Sequence, residues 1–253
     1  MIYIAFIIFT LLVLLFVFYE WQHFMVFSPV YYREEPLCAE CTLLSVQTDD
    51  GVELEGVVYE PKHYKNRVLI FVGRSHDAVA LINRFATLYP HTQIITFNYR
   101  SYGKSGGVAS EKNFFKDGLH IAELVRKNYG DFYLLGFSIG SSVAAYVASK
   151  MPVKGVFLIG AFDSIAALAK RKFGVIPSAV LRYKFSTEDF VQSIDAPIYL
   201  FASKTDEIAY IENARALKEK IKNLAYYVEL DDLSHKELLW DKRVVTKIKE
   251  VVE

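Results

Sequence analysis

The segment Gly136-Phe137-Ser138-Ile139-Gly140 puts a lone serine between two glycines, where the apolar run "DFYLLGF" gives way to an Ala-rich stretch of helical length. A strand-to-helix turn this tight holds the serine in a strained backbone, and the flanking glycines remove side chains that would collide. It lifts the hydroxyl above the sheet, beside the free N–H groups of the helix N-terminus. Such a hydroxyl becomes a nucleophile only if a base takes its proton and a carboxylate orients that base. Both partners follow downstream, each just after an apolar run: Asp206 in "YLFASKTDEIAY" and His235 in "VELDDLSHKELL". The chemistry this constellation suits is acyl transfer to Ser138, with His235 as base and Asp206 as orienting acid.

Other assignments compete for these positions. Asp206 also suits an N-cap for a helix starting near Ile208. Glu207 is adjacent and is expected to point elsewhere; Asp231 and Asp232 lie close to the histidine in sequence and are fallback acids. His23 is membrane-proximal, His63 and His91 fall in loops and His120 in a helix, so His235 is the histidine placed after the last strand. An oxyanion hole needs the N–H after the nucleophile, Ile139, and a second from the loop "FVGRSHD", assigned to Arg74. Backbone donors do this work, so it leaves the Arg74 side chain unconstrained.

The elements that must hold these groups are legible as a pattern. Residues 43–60 read as a hairpin around the turn signal "DDG". Short apolar runs follow at 67–73, 93–99, 131–137, 155–160, 197–203 and 225–230, the signature of strands covered on both faces. Helix-length segments lie at 77–89, 111–128, 139–151, 208–222 and 235–252, the second with an apolar stripe of Phe115, Leu119, Ala122 and Val125. The expected fold is a doubly wound, mostly parallel α/β sheet with an antiparallel edge. The alternation breaks once, at 161–196, an insert that is partly helical, cationic in its middle, and read as a small cap.

The 253 residues suffice for one domain with a sizeable core. Residues Ile2 to Tyr19 carry no charge, and in a helix they span about 27 Å, close to the thickness of a bilayer core. Tyr19, Trp21, Phe24 and Phe27 suit an interfacial aromatic belt. No positive n-region or small-residue cleavage site is visible, which favours a retained anchor over a signal peptide. The expected organisation is an anchor over residues 1–22, a membrane-proximal segment over 23–42 and the α/β domain over 43–253. Arg33, just behind the span, leans the orientation towards a cytoplasmic domain.

Several function classes fall away. With 29 basic and 29 acidic residues, no electrostatic case exists for a nucleic-acid partner. In "YGKSGG" position 98 is Asn where a phosphate-binding loop needs Gly, so the segment reads as a turn near the site's rim and no nucleotide is expected. Cys38 and Cys41 lack a second pair for zinc, and read as an incidental thiol pair or as a local disulfide in an oxidising compartment. No metal or organic cofactor is expected.

From about residue 43 to 250, with the anchor in front, the chain resembles the α/β-hydrolase superfamily, more closely its membrane-anchored single-domain serine-hydrolase branch. The resemblance rests on "NYRSYGKSGG", "GFSIGSS", "SKTDEIAY" and "LSHKE". It implies a serine-dependent hydrolase acting through an acyl-enzyme, with Ser138, Asp206 and His235 as triad. That family usually has His-Gly where this chain has Val72-Gly73, and often a proline where Tyr210 stands. An esterase or lipase-like activity is the first expectation, with a peptidase, a thioesterase or a non-catalytic membrane interaction module as alternatives. Phe173, Val175, Ile176, Val180 and Leu181 in the insert suit a lipid-like acyl substrate or simply pack the cap.

Overall fold

In a computed structural model, which describes residues 2–32, 36–174 and 177–253, the chain opens with a long apolar helix and continues into a three-layer α/β domain. The elements in order are α1 (Ile2–Val26), β1 (Cys41–Gln47), β2 (Glu53–Tyr59), β3 (Asn66–Phe71), α2 (Ile82–Leu88), β4 (Thr92–Phe97) and α3 (Glu111–Tyr129). They continue as β5 (Tyr133–Phe137), α4 (Ile139–Lys150), β6 (Val156–Ile159), α5 (Ile165–Phe173), a 3-10 turn at 178–180 and α6 (Thr187–Val191). The last are β7 (Ile198–Ser203), α7 (Ile211–Lys218), β8 (Leu224–Leu230), α8 (His235–Leu238) and α9 (Lys242–Val252).

Eight strands form one sheet in the order β1-β2-β4-β3-β5-β6-β7-β8. The first hairpin turns at Gly51, whose φ of 78° is the left-handed value such a turn needs. β2 then pairs antiparallel with β4, and every later pairing is parallel. The expected doubly wound sheet with an antiparallel edge is thus the observed one. Its continuous apolar runs are what a sheet buried on both faces requires: β4 and β6 are buried along their whole length. Phe71 is in register with Gly136, Phe137 with Ile159 and Ile159 with Phe201. The C-terminal ends of β3, β5, β6 and β7 therefore meet along one edge, where open α/β sheets bind ligands.

Several helix boundaries differ from the sequence expectation, each for a local reason. The segment expected at 77–89 becomes helical only at Ile82, because the Asp77 carboxylate accepts from the N–H groups of Val79 and Ala80 and holds a turn first. The 208–222 helix starts at Ile211 and ends at Lys218, and the 235–252 segment is two helices, the second capped by Asp241 accepting from Arg243 N–H. The buried face of α3 runs through Phe114, Gly118, Ile121, Ala122 and Val125, rotated from the expected stripe so that Phe115 and Leu119 are only half-buried. The rotation brings Phe114 onto Tyr99 (3.8 Å between ring centroids) and Gly118 against Val143, where a Cβ would sit at 2.6 Å.

α1 is long and apolar enough to cross a membrane, at about 37 Å, and its side chains are exposed through Val17. It continues four residues past the expected end of the anchor because its last turns dock on the domain. The following Phe27 is fully buried against Phe114, Tyr183 and Phe185. Arg33, Val175 and Ile176, used in the sequence reading, lie outside the described residues. Cys38 and Cys41 are joined in a disulfide, the second of the two expected readings.

Candidate active site

Ser138 follows β5 directly and caps α4, with φ 55° and ψ −124°. A non-glycine residue there is strained, and strain of this kind persists only where the surroundings enforce it. They do so here. Ser138 N–H donates to Ile159 O at 2.9 Å, Ser141 N–H to Ser138 O at 2.9 Å, and Ser141 Oγ to Gly136 O at 2.8 Å. A Cβ on Gly136 would lie 2.5 Å from Gly140 O, and one on Gly140 would lie 2.1 Å from Phe71 O, so both glycines are demanded by packing. Ile139 is the first residue of α4, and its N–H therefore has no acceptor within the helix.

The candidate base and acid come from later loops along the same edge. His235 Nδ1 lies 2.6 Å from Asp206 Oδ2, and both side chains are buried. The other carboxylate oxygen, Oδ1, accepts from the N–H groups of Ile208 and Ala209 at 2.8 Å each. Asp206 thus contacts the histidine and holds a turn at once, but it is not the expected helix N-cap: α7 starts at Ile211, with Tyr210 in the N-cap position. The two loops are fastened together. Ser203 Oγ donates to Leu233 O at 2.6 Å, while Thr205 Oγ1 donates to that carbonyl at 3.1 Å and accepts from Leu233 N–H. The imidazole lies over Phe137 (centroids 4.9 Å apart, planes at 30°) and against Gly160, the residue after β6.

His235 Nε2 is buried and makes no hydrogen bond, so no bond to Ser138 Oγ is formed in this arrangement. Such bonds are often long until substrate tightens the site. Glu207 does not point away as expected: it lines the cleft, and its carboxylate accepts from His235 N–H at 3.3 Å. The fallback acids are elsewhere; Asp231 pairs with Lys204 at 2.9 Å.

On the opposite side, the loop after β3 brings Arg74 to the cleft. Its carbonyl accepts from Tyr102 OH at 2.6 Å, and the Val72 carbonyl accepts from Tyr99 OH at 3.0 Å. Val72 is buried, so the valine in place of histidine packs into the core. The sequence reading passed over His76, two residues on. Its ring stands edge-on to Phe137 at 5.6 Å, its Nδ1 is buried without a partner, and burial lowers its pKa.

Ser138, Ile139 and Arg74 share a cleft of about 690 Å³. Ile165, Leu168 and Phe173 of α5 form one apolar side, and residues of α1 form another. The "YGKSGG" turn is filled from within: Lys104 N–H donates to the Glu55 carboxylate and Gly103 N–H to Val30 O, which occupies the amides a phosphate would need. Among the described residues no group of three His, Cys, Asp or Glu side chains converges as a metal site would require.

A mostly parallel sheet with a strained serine between β5 and its helix, and an Asp–His pair on later loops, defines an α/β-hydrolase fold. The comparisons with known proteins agree with that fold. A lysophosphatidylserine lipase, ABHD12, of Macaca fascicularis is 26% identical over 145 residues, 49% of this chain and 36% of the relative. The match therefore spans about a third of that relative's length. A protein of Acanthamoeba polyphaga mimivirus is 24% identical over 71% of this chain and 69% of its own. Among solved structures, an esterase of Pyrococcus furiosus superposes with a TM-score of 0.67 at 16% identity, covering 89% of this chain and 96% of the esterase. An esterase domain from Rhodothermus marinus gives 0.60 at 22%, covering 83% and 95%. No protein-family model matches the chain.

Proposed function

We propose that the protein is a membrane-anchored serine hydrolase that cleaves esters of lipid-like acyl substrates through an acyl-enzyme. Ser138 Oγ attacks the carbonyl as His235 Nε2 takes its proton, while Asp206 holds the imidazole with Nδ1 protonated. The N–H groups of Ile139 and Arg74 receive the oxyanion. Protonated His235 then hands its proton to the leaving alcohol, and a water activated by the same nitrogen releases the acid. Residues 1–22 serve as the anchor, 23–42 as a membrane-proximal segment and 43–253 as the hydrolase domain, with 161–196 as its cap.

The observation that carries this reading is the buried His235–Asp206 contact of 2.6 Å, on the strand edge that also presents a strained Ser138 to an apolar cleft. The esterase neighbours and the lipase relatives support ester hydrolysis, and the apolar lining supports an acyl chain as the group bound. A non-catalytic interaction module is the second reading, favoured by the missing Ser138–His235 hydrogen bond. Hydrolysis of p-nitrophenyl esters of rising acyl length by the full chain in detergent, compared with Ser138→Ala, separates the two. The hydrolase reading expects turnover that rises with chain length and disappears in the variant; no turnover by folded wild type leaves the interaction module.

A further inference from the structure

The N-terminal helix is more than a tether by position. Phe18, Trp21, Gln22 and Met25 recur at helical spacing and so share one face of α1, and that face lines the cleft holding Ser138 and Ile139. α5 presents Ile165, Leu168 and Ala169 to the same cleft at the same spacing. From Phe18 to Met25 the wall is about 10 Å long.

The polar groups of this wall are spent on fixing it. Gln22 is the buried residue of α1; its Nε2 donates to Val180 O and its Oε1 accepts from Arg182 N–H, both at 2.8 Å. His23 Nδ1 meets Tyr183 OH at 3.0 Å, and Glu20 pairs with Arg182 at 2.7 Å. The Arg74 guanidinium donates to Met25 O, at the open C-terminal end of α1. Tyr102 OH completes the latch, donating to Arg74 O and accepting from Ser28 N–H at 3.1 Å. What faces the cleft from α1 is then mostly apolar, and the helix runs on, exposed and apolar, at bilayer length.

We infer that the last turns of α1, residues 18–26, are part of the substrate site. They form an acyl-chain wall of the cleft that α5 also lines, and are latched through Arg74 to the loop that supplies an oxyanion donor. An acyl chain then passes sideways from the bilayer along α1 to Ser138, and Trp21 and Met25 set the preferred chain length. The inference rests on the serine-hydrolase reading and deepens it.

The test uses the full chain in detergent and a dodecyl fluorophosphonate bearing a diazirine at the chain end. Ser138 Oγ displaces fluoride from phosphorus, and irradiation then ties the chain end to whatever lies beside it. Cross-links in the peptide containing residues 18–26 are expected. Ser138 labelled with cross-links only outside 18–26 overturns the inference and leaves the hydrolase reading standing; a folded wild type without label overturns both. In parallel, Trp21→Ala should lower the ratio of kcat/KM for dodecanoyl over butanoyl esters roughly tenfold, about 1.4 kcal/mol. Leu12→Ala, on the exposed part of the same helix, should leave that ratio in place. A ratio unmoved by Trp21→Ala also overturns the inference, and if that variant fails to fold the wild-type cross-links decide.

Discussion

Asp206 grips His235 with one carboxylate oxygen and the turn at residues 208–209 with the other, so a single side chain holds both the imidazole and its own loop. Substitutions there should separate the two jobs. Asp206→Asn can keep an acceptor for the turn but no longer fixes the protonated Nδ1 tautomer. It should lower kcat by about 10³- to 10⁴-fold with little change in unfolding temperature. Asp206→Ala should lose a comparable rate and, in addition, about 1 kcal/mol of stability with the hydrogen bonds to the turn. Steady-state kinetics beside thermal unfolding of both variants checks the pair; an Asn variant with near wild-type kcat would contradict the role.

Gly160 has φ 57°, and a Cβ on it would lie 3.0 Å from His235 Cε1 and 3.2 Å from Nδ1. Gly160→Ala must therefore move the imidazole as well as pay about 1–2 kcal/mol for a left-handed backbone. Gly51 has φ 78° with nothing within 4 Å of a Cβ, so Gly51→Ala pays the backbone cost alone. The expected result is similar destabilisation of both variants, with kcat reduced more than tenfold only at position 160.

The lowered pKa of half-buried His76 makes stability depend on pH in a definite direction. Between its depressed folded pKa and about 6.5, the unfolded chain binds a proton that the folded one does not. Stability should therefore fall as pH drops through 6.5 and stop falling, on this account, below the folded pKa. His76→Gln should flatten the pH 7.5 to 5.5 part of that curve in thermal unfolding. An unchanged slope would remove His76 as the cause.

Arg100 is buried and clamps two acids bidentately: Asp117 on α3 at 2.7 and 2.8 Å, and Asp50 in the β1–β2 turn at 2.7 and 2.8 Å. Arg100→Met leaves Asp117 buried without its cation and should cost about 3–5 kcal/mol. Lysine, a single point charge, cannot bridge both carboxylates and should recover only part of that. Urea unfolding of the two variants measures the difference.

The sheet was legible because strands buried on both faces need unbroken apolar runs, and the candidate site was legible because its proposed members sit at run ends in a fixed order. Ser138, Asp206 and His235 each carried such a marker. Helix starts were harder to read, since Asp77 and Asp206 use their carboxylates to hold turns that periodicity does not register. The placement of Glu207, His76 and the last turns of α1 at the cleft was not legible for a different reason. Their positions come from neighbours far away in sequence: Met25 meets Arg74, and Gln22 meets Val180, only once the chain has folded.

The central claim is that Ser138 is the nucleophile, and mapping the adduct of a fluorophosphonate on the full chain tests it most directly. The account predicts one adduct, on the peptide containing Ser138, absent from Ser138→Ala and strongly slowed in His235→Ala. A folded wild type that takes up no probe, or an adduct on another residue that persists in Ser138→Ala, would contradict it.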